Sequence, residues 1–132
     1  MLATGLPIQR GIPLAIDASM VSALHANGQP WDHADVIPGI SLQRAELSKN
    51  DTYPELVNSD AVRLVTLACE VGGRWSDECL DIVTKLAAAR ARSVPRHLEM
   101  STLVSMQSRW WSMLSCAQKD ALASTLIDGL RY

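Results

Sequence analysis

Two hydrophobic rhythms run along the chain, and they change over near residue 75. Residues 12–21, IPLAIDASMV, alternate: Ile12, Leu14, Ile16, Ala18 and Met20 fall on one side, and Pro13, Ala15, Asp17, Ser19 and Val21 on the other. A period of two predicts a strand with one apolar face. Residues 62–71, VRLVTLACEV, are almost unbroken in their apolar or small character. Such a run predicts a central strand covered on both faces. Gly72 and Gly73 end it, and Ser76 caps a helix over 76–92, with Asp77 and Glu78 in a first turn that suits carboxylates. That helix buries Cys79, Ile82, Val83, Leu86 and Ala87. Pro95 opens a further helix over 95–114, with Leu103, Met106, Trp110 and Leu114 on one stripe. Ser115 caps a last helix over 116–127, continuing the line Leu122, Leu126 and Leu130.

Between the strands, Ser41 caps a helix over 41–53 that Asp51 and Pro54 end. Its stripe is Leu42, Ala45, Lys49 and Tyr53, with spacings of three, four and four. Residues 25–38, HANGQPWDHADVIP, carry the turn signals Asn27-Gly28, Gln29-Pro30 and Pro38-Gly39 and read as a loop. The expected fold is α/β, a small mixed sheet flanked by helices. It forms one domain over 1–132, strand-rich through residue 75 and helical beyond. Leu64, Val65, Leu67, Ile82, Val83, Leu86, Leu103 and Trp110 are its expected core.

Composition narrows the picture. The chain has 132 residues, 48% hydrophobic and 20% charged, enough for one domain with a real core. Phe is absent, so four Trp and the aliphatics must fill that core. A net charge of −2 exerts no overall pull on nucleic acid, so any such contact is local. No apolar run reaches the roughly 18 residues of a membrane span. The start, MLATGLPIQR, lacks the basic and apolar blocks of a secretory signal. Cys69, Cys79 and Cys116 have no metal-ligand spacing and read as small core residues of an intracellular protein.

Four places carry candidate chemistry. Asp17 stands mid-strand among small neighbours, where a carboxylate can bind a metal, accept backbone N–H bonds or pair with a cation. Lys49 lies on the apolar stripe of its helix, so its ammonium faces the sheet or snorkels past it, with Glu46 as an alternative surface partner. Glu70 sits near a strand exit, where open α/β sheets carry ligands, or forms a rim pair with a nearby Arg. His25, Asp32, His33 and Asp35 share the 25–38 loop without the spacing of a known metal motif. Beside Arg109, the pair Trp110-Trp111 reads as core packing rather than a base-stacking platform.

Several stretches taken together resemble one family. LPIQRGIPLAIDASMVSAL, RAELSKNDTYPEL, LVTLACEVGGRWSDECLDIV and AAARARSVP are similar to the C-terminal endonuclease region of certain non-LTR retrotransposon polyproteins. The resemblance runs from about Leu6 to Leu126. It implies a restriction-endonuclease-like core of the PD-(D/E)xK class with a helical C-terminal extension, which follows a reverse transcriptase and nicks DNA with Mg²⁺. On matching positions it implies that Asp17 is the second metal-binding aspartate. Lys49 is the catalytic lysine, moved onto the following helix, and Tyr53 is the tyrosine one turn later. Hard oxygen ligands and a nearby cation are what phosphodiester cleavage requires.

The family's first metal-binding aspartate falls here around Ala3, where no carboxylate stands. The chain therefore reads as truncated on its N-terminal side, with Mg²⁺-dependent cleavage weak or absent. Glu70 would be a substitute metal ligand if its strand lay beside that of Asp17. The alternative is a non-enzymatic protein-interaction or dimerisation module, joined through an exposed sheet edge or apolar helices. The first reading implies DNA as partner and an intracellular, nuclear setting. Convergence of Asp17, Lys49 and Glu70 on one point separates the two.

Overall fold

The computed structural model describes residues 1–130. The fold is mixed α/β, a three-stranded sheet with four α-helices. The strands are β1 (Leu2–Ala3), β2 (Leu14–Val21) and β3 (Arg63–Glu70), in the order β1-β2-β3. β1 runs antiparallel to β2, and β2 parallel to β3 with Asp17 opposite Thr66 and Val21 opposite Glu70. The parallel pair is joined over the top by α1 (Ile40–Thr52) and a single turn, α2 (Pro54–Val57). On the opposite face lie α3 (Asp77–Ala91) and α4 (Glu99–Gly129).

β3 is an edge strand, not the expected central one. Its pattern is that of a buried strand because α1 covers one face and α3 and α4 the other, and its outer edge is sealed besides. The Glu70 N–H donates to Arg74 O (2.7 Å), and the Ser76 N–H donates to Ala68 O (2.8 Å). The Ala68 N–H reaches Ser76 Oγ (3.4 Å), and the Thr66 N–H donates to Glu78 Oε2 (2.9 Å). Gly73, at φ +102°, makes the return possible and donates its own N–H to Glu70 O. Ser76 caps α3 as expected, accepting from the Cys79 N–H.

The core centres on Leu14 and Val65, both fully buried, with Ile8 and Ile82 against them. A turn over Gln9–Gly11 delivers Ile8 to this cluster. Of the expected core, Val65, Ile82 and Val83 are buried, whereas Leu64, Leu67, Leu86, Leu103 and Trp110 are only half-buried. Three strands are too few to cover a helix layer completely, so five of the eight stay partly wet.

The C-terminal half departs most from expectation. Pro95 precedes only a short turn, Arg96–Leu98, and a single helix of 31 residues replaces the two expected. Ser115 lies inside it and caps nothing. The apolar stripe through Leu114 runs on through Gln118 to Leu122 without a Gly or Pro to break it. At ~1.5 Å per residue α4 is ~46 Å long. Met100, Val104, Leu126 and Ile127 on its two ends are exposed. Cys116 is exposed as well, contrary to its expected core position, while Cys69 and Cys79 are buried free thiols. Among the described residues, no helix is long and apolar enough to cross a membrane.

Candidate functional site

β2 and α1 bring Asp17 and Lys49 together. Lys49 Nζ stands 2.7 Å from Asp17 Oδ2, both side chains about 30% exposed. Asp17 Oδ2 itself is sealed from water, and the ammonium is its one polar partner among the described residues. The bond to Asp17 raises the Lys49 pKa above the usual lysine value, against partial desolvation that lowers it, and Tyr53 adds a smaller upward push. Lys49 is thus a held ammonium. Glu46, the alternative partner, points instead toward the start of α3. Burial first, then the charges of Glu78 and Asp77, raise its own pKa.

Glu70 does not join this pair. It accepts a 2.8 Å hydrogen bond from Ser41 Oγ and lies 3.8 Å from Arg74 Nε, the rim pairing described above. Ser41 is therefore not the cap of α1; Gly39 occupies that position at φ +78°. The register explains the separation. Asp17 is opposite Thr66, and Glu70 is four residues further along the same strand, roughly 13 Å away at ~3.3 Å per residue. Eight helical residues separate Ser41 from Lys49, roughly 12 Å at ~1.5 Å per residue. The two spacings match, so α1 lies antiparallel along the strands and is pinned at both ends, by Ser41 on Glu70 and by Lys49 on Asp17. In this register Glu70 is turned to Ser41 and Arg74 and does not meet Asp17.

The donor set around Asp17 does not fit a divalent cation. One carboxylate is present and one of its oxygens faces an ammonium. Glu78 spends Oε2 on the N–H of Thr66, which stands opposite Asp17. Among the described residues, no group of three or more His, Cys, Asp or Glu side chains converges on a point. Mg²⁺ sites take one or two carboxylates and complete their octahedron with water and substrate phosphate, and here the single carboxylate already faces an ammonium.

The 25–38 loop packs against α1 through tilted ring and cation–π contacts. His25 and Trp31 have ring centroids 3.5 Å apart, and the Arg44 guanidinium lies 4.9 Å from the Trp31 ring. Trp31 Nε1 donates to Ser22 O. Asp32, His33 and Asp35 remain exposed. Beneath Trp31 a cavity of about 360 Å³ opens at the C-terminal ends of the strands, walled by Val21, Ser41, Arg44 and Ser48. Neither Asp17 nor Lys49 lines it. Trp111 packs on Trp75, with centroids 6.1 Å apart, and Trp75, Trp110 and Trp111 are all half-buried.

Two residues central to this geometry carry no signal in the sequence. Gln118 is buried and donates from Nε2 to Glu70 O (2.7 Å) and Val71 O (3.3 Å), tying α4 to the exit of β3. Trp31 is an isolated aromatic in a polar loop, and only its size hints at a packing role.

Compared with protein-family models, curated proteins and solved structures, the chain matches none.

Proposed function

We propose that this chain is a restriction-endonuclease-like domain derived from a non-LTR retrotransposon, Mg²⁺-dependent in DNA nicking by ancestry and weak or inactive in its present form. One observation supports the descent: Asp17 on a strand and Lys49 on the following helix stand 2.7 Å apart, at the positions that the resemblance assigns to metal ligand and catalytic lysine. The absence of the first metal-binding aspartate supports the loss of activity. A lone, ion-paired aspartate holds the cation more weakly than a pair of carboxylates, and the ammonium that would stabilise developing charge is engaged with Asp17 instead. A supercoiled-plasmid nicking assay in Mg²⁺ or Mn²⁺ tests this. Background-level cleavage, or weak cleavage abolished by Asp17→Ala, is expected. Robust cleavage that survives Asp17→Ala refutes it.

A second reading, a protein-interaction module, is favoured by a different observation. One edge of the sheet is sealed by hydrogen bonds, whereas the other is covered only in part. In that reading the Asp17–Lys49 pair is a staple between β2 and α1. Loss of solubility or secondary structure in Asp17→Ala, with no change in any DNA readout, is its expected signature.

A further inference from the structure

Formal charge is unevenly distributed along the chain. Residues 82–119 hold six Lys or Arg and one acid, Glu99, whereas the rest holds six Lys or Arg against thirteen acids. The basic excess gathers where α3 turns into α4, two helices that pack side by side as an antiparallel hairpin. The tip of this hairpin carries Arg90, Arg92, Arg96 and His97, and nine of the ten residues over 92–101 are exposed. Four ion pairs form among the described residues, and none engages these arginines. The C-terminal dipole of α3 suits Arg90 and Arg92, but it falls off within the last turn and leaves Arg96 unexplained. Beside the cations stand bare aliphatics: Leu98 is 44% exposed, Met100 70% and Val104 57%. Met100 and Val104 are four residues apart and share one line of α4, with Leu98 just before it. Asp17 and Lys49 lie under α1, on the opposite face of the sheet.

We infer that the α3–α4 tip docks on a bilayer surface rich in anionic lipid, with its arginines on the headgroup phosphates and Leu98, Met100 and Val104 in the outer acyl region. This goes beyond the nuclease ancestry and uses none of its residues. Charge selects the class of partner. A positive tip on a chain of net charge −2 is drawn to a polyanion while the acidic remainder is repelled, so contact is confined to the tip. The aliphatics select a bilayer over nucleic acid. A phosphate backbone leaves them in water, whereas a membrane interface buries them, and binding there grows with apolar area and with attraction to anionic headgroups. Residues 90–105 also contain no Trp, Tyr, Phe, Asn or Gln, the side chains that stack on bases or read them beside arginine. Among the described residues no helix is long and apolar enough to span, so the attachment is peripheral. Three arginines and three aliphatics make it weak and reversible, and Glu99, placed among the cations, opposes it.

Co-sedimentation of the full chain with phosphatidylcholine vesicles, plain or containing about one-third phosphatidylserine, tests this. Binding to the mixed vesicles, little to the plain ones, and release as salt rises are expected. Arg92→Gln/Arg96→Gln should weaken binding more than tenfold, at roughly fivefold per charge. Met100→Ser/Val104→Ser should weaken it about tenfold. All four side chains are exposed, so the circular dichroism of both variants should match wild type. Glu99→Gln should tighten binding about fivefold, which a role in folding alone would not give. Lys119→Gln, about 30 Å further along α4 and beyond the screening length, should change nothing. Equal binding to the two kinds of vesicle, or binding to neither, overturns the proposal. So does an arginine effect without a Met100/Val104 effect. If a short DNA duplex then binds the wild type and not Arg92→Gln/Arg96→Gln, the tip is a nucleic-acid surface instead.

Discussion

Gln118 is the strongest single test of how the helical half is attached to the sheet. It is 4% exposed in a helix whose other described residues are half-buried or exposed, and its amide nitrogen donates to two backbone carbonyls at the end of β3. Gln118→Ala removes both hydrogen bonds. Glu70 O keeps a second donor in the Gly73 N–H, but Val71 O loses its side-chain partner. Losing one well-formed bond and one long bond costs ~1–2 kcal/mol, and truncating a buried side chain adds about 1 kcal/mol for the space left behind. A total of ~2–3 kcal/mol is a large share of the stability of a domain this size. With ~3–5 °C lost per kcal/mol, the melting temperature should fall by roughly 6–15 °C. Urea denaturation followed by circular dichroism measures the free energy independently of the thermal scan. The exposed neighbour Lys119 is the control, since Lys119→Ala should stay within ~0.5 kcal/mol of wild type. If Gln118→Ala behaves like Lys119→Ala, Gln118 does not tie α4 to the exit of β3.

Three further outcomes follow from the same geometry. Leu14→Ala, at a fully buried site, should cost ~2–5 kcal/mol and exceed Leu67→Ala, whose side chain is half-buried; equal urea midpoints would place the core elsewhere. Lys49 has a pKa raised above 10.5, so its contribution is complete below that value and is lost as pH rises through the higher folded-state pKa. The stability difference between wild type and Lys49→Gln should therefore hold from pH 7 to 9 and vanish in strong alkali, and a difference that disappears by pH 9 contradicts the Asp17 bond. Glu46 has a pKa raised above 4.5 by burial and then by Glu78 and Asp77, so its charged form opposes folding above the raised value. Glu46→Gln should stabilise by about 0.5 kcal/mol at pH 7 after solvent screening, and the gain should fade as pH falls through the raised value and below 4.5; a constant gain would exclude titration as its source.

The parts of the fold that were legible in the sequence are those in which one period governs a whole element. Period two marks β2 and places Asp17 off its apolar face. A 3.6-residue stripe places Lys49 toward the sheet, and a helix following that strand has few ways to lie on it. The contact between Asp17 and Lys49 was thus within reach before any coordinates. Ser76 was legible for a similar reason, because a cap, two acids and an apolar stripe agree. Ser115 and Ser41 show the limit. Serine serves at a cap or inside a helix, and local pattern does not distinguish the two when the stripe simply continues. At Ser41 a glycine two positions earlier took the cap, which freed the hydroxyl for Glu70.

Glu70 was out of reach for a deeper reason. Whether it approaches Asp17 depends on the register between two strands separated by more than forty residues, and no periodicity encodes that number. A parallel pair offset by four residues would have set the two carboxylates side by side on the α1 face. The observed offset sets Glu70 beside Val21 and hands it to Ser41 and Arg74. The same register aligns the two pins of α1, since roughly 13 Å of strand and 12 Å of helix must agree for both to form. Moving Glu70 into ligating distance would therefore tear one pin from the helix. The ion pair and the rim pair hold α1 in place together, and that shared structural duty keeps Asp17 from acquiring a second carboxylate.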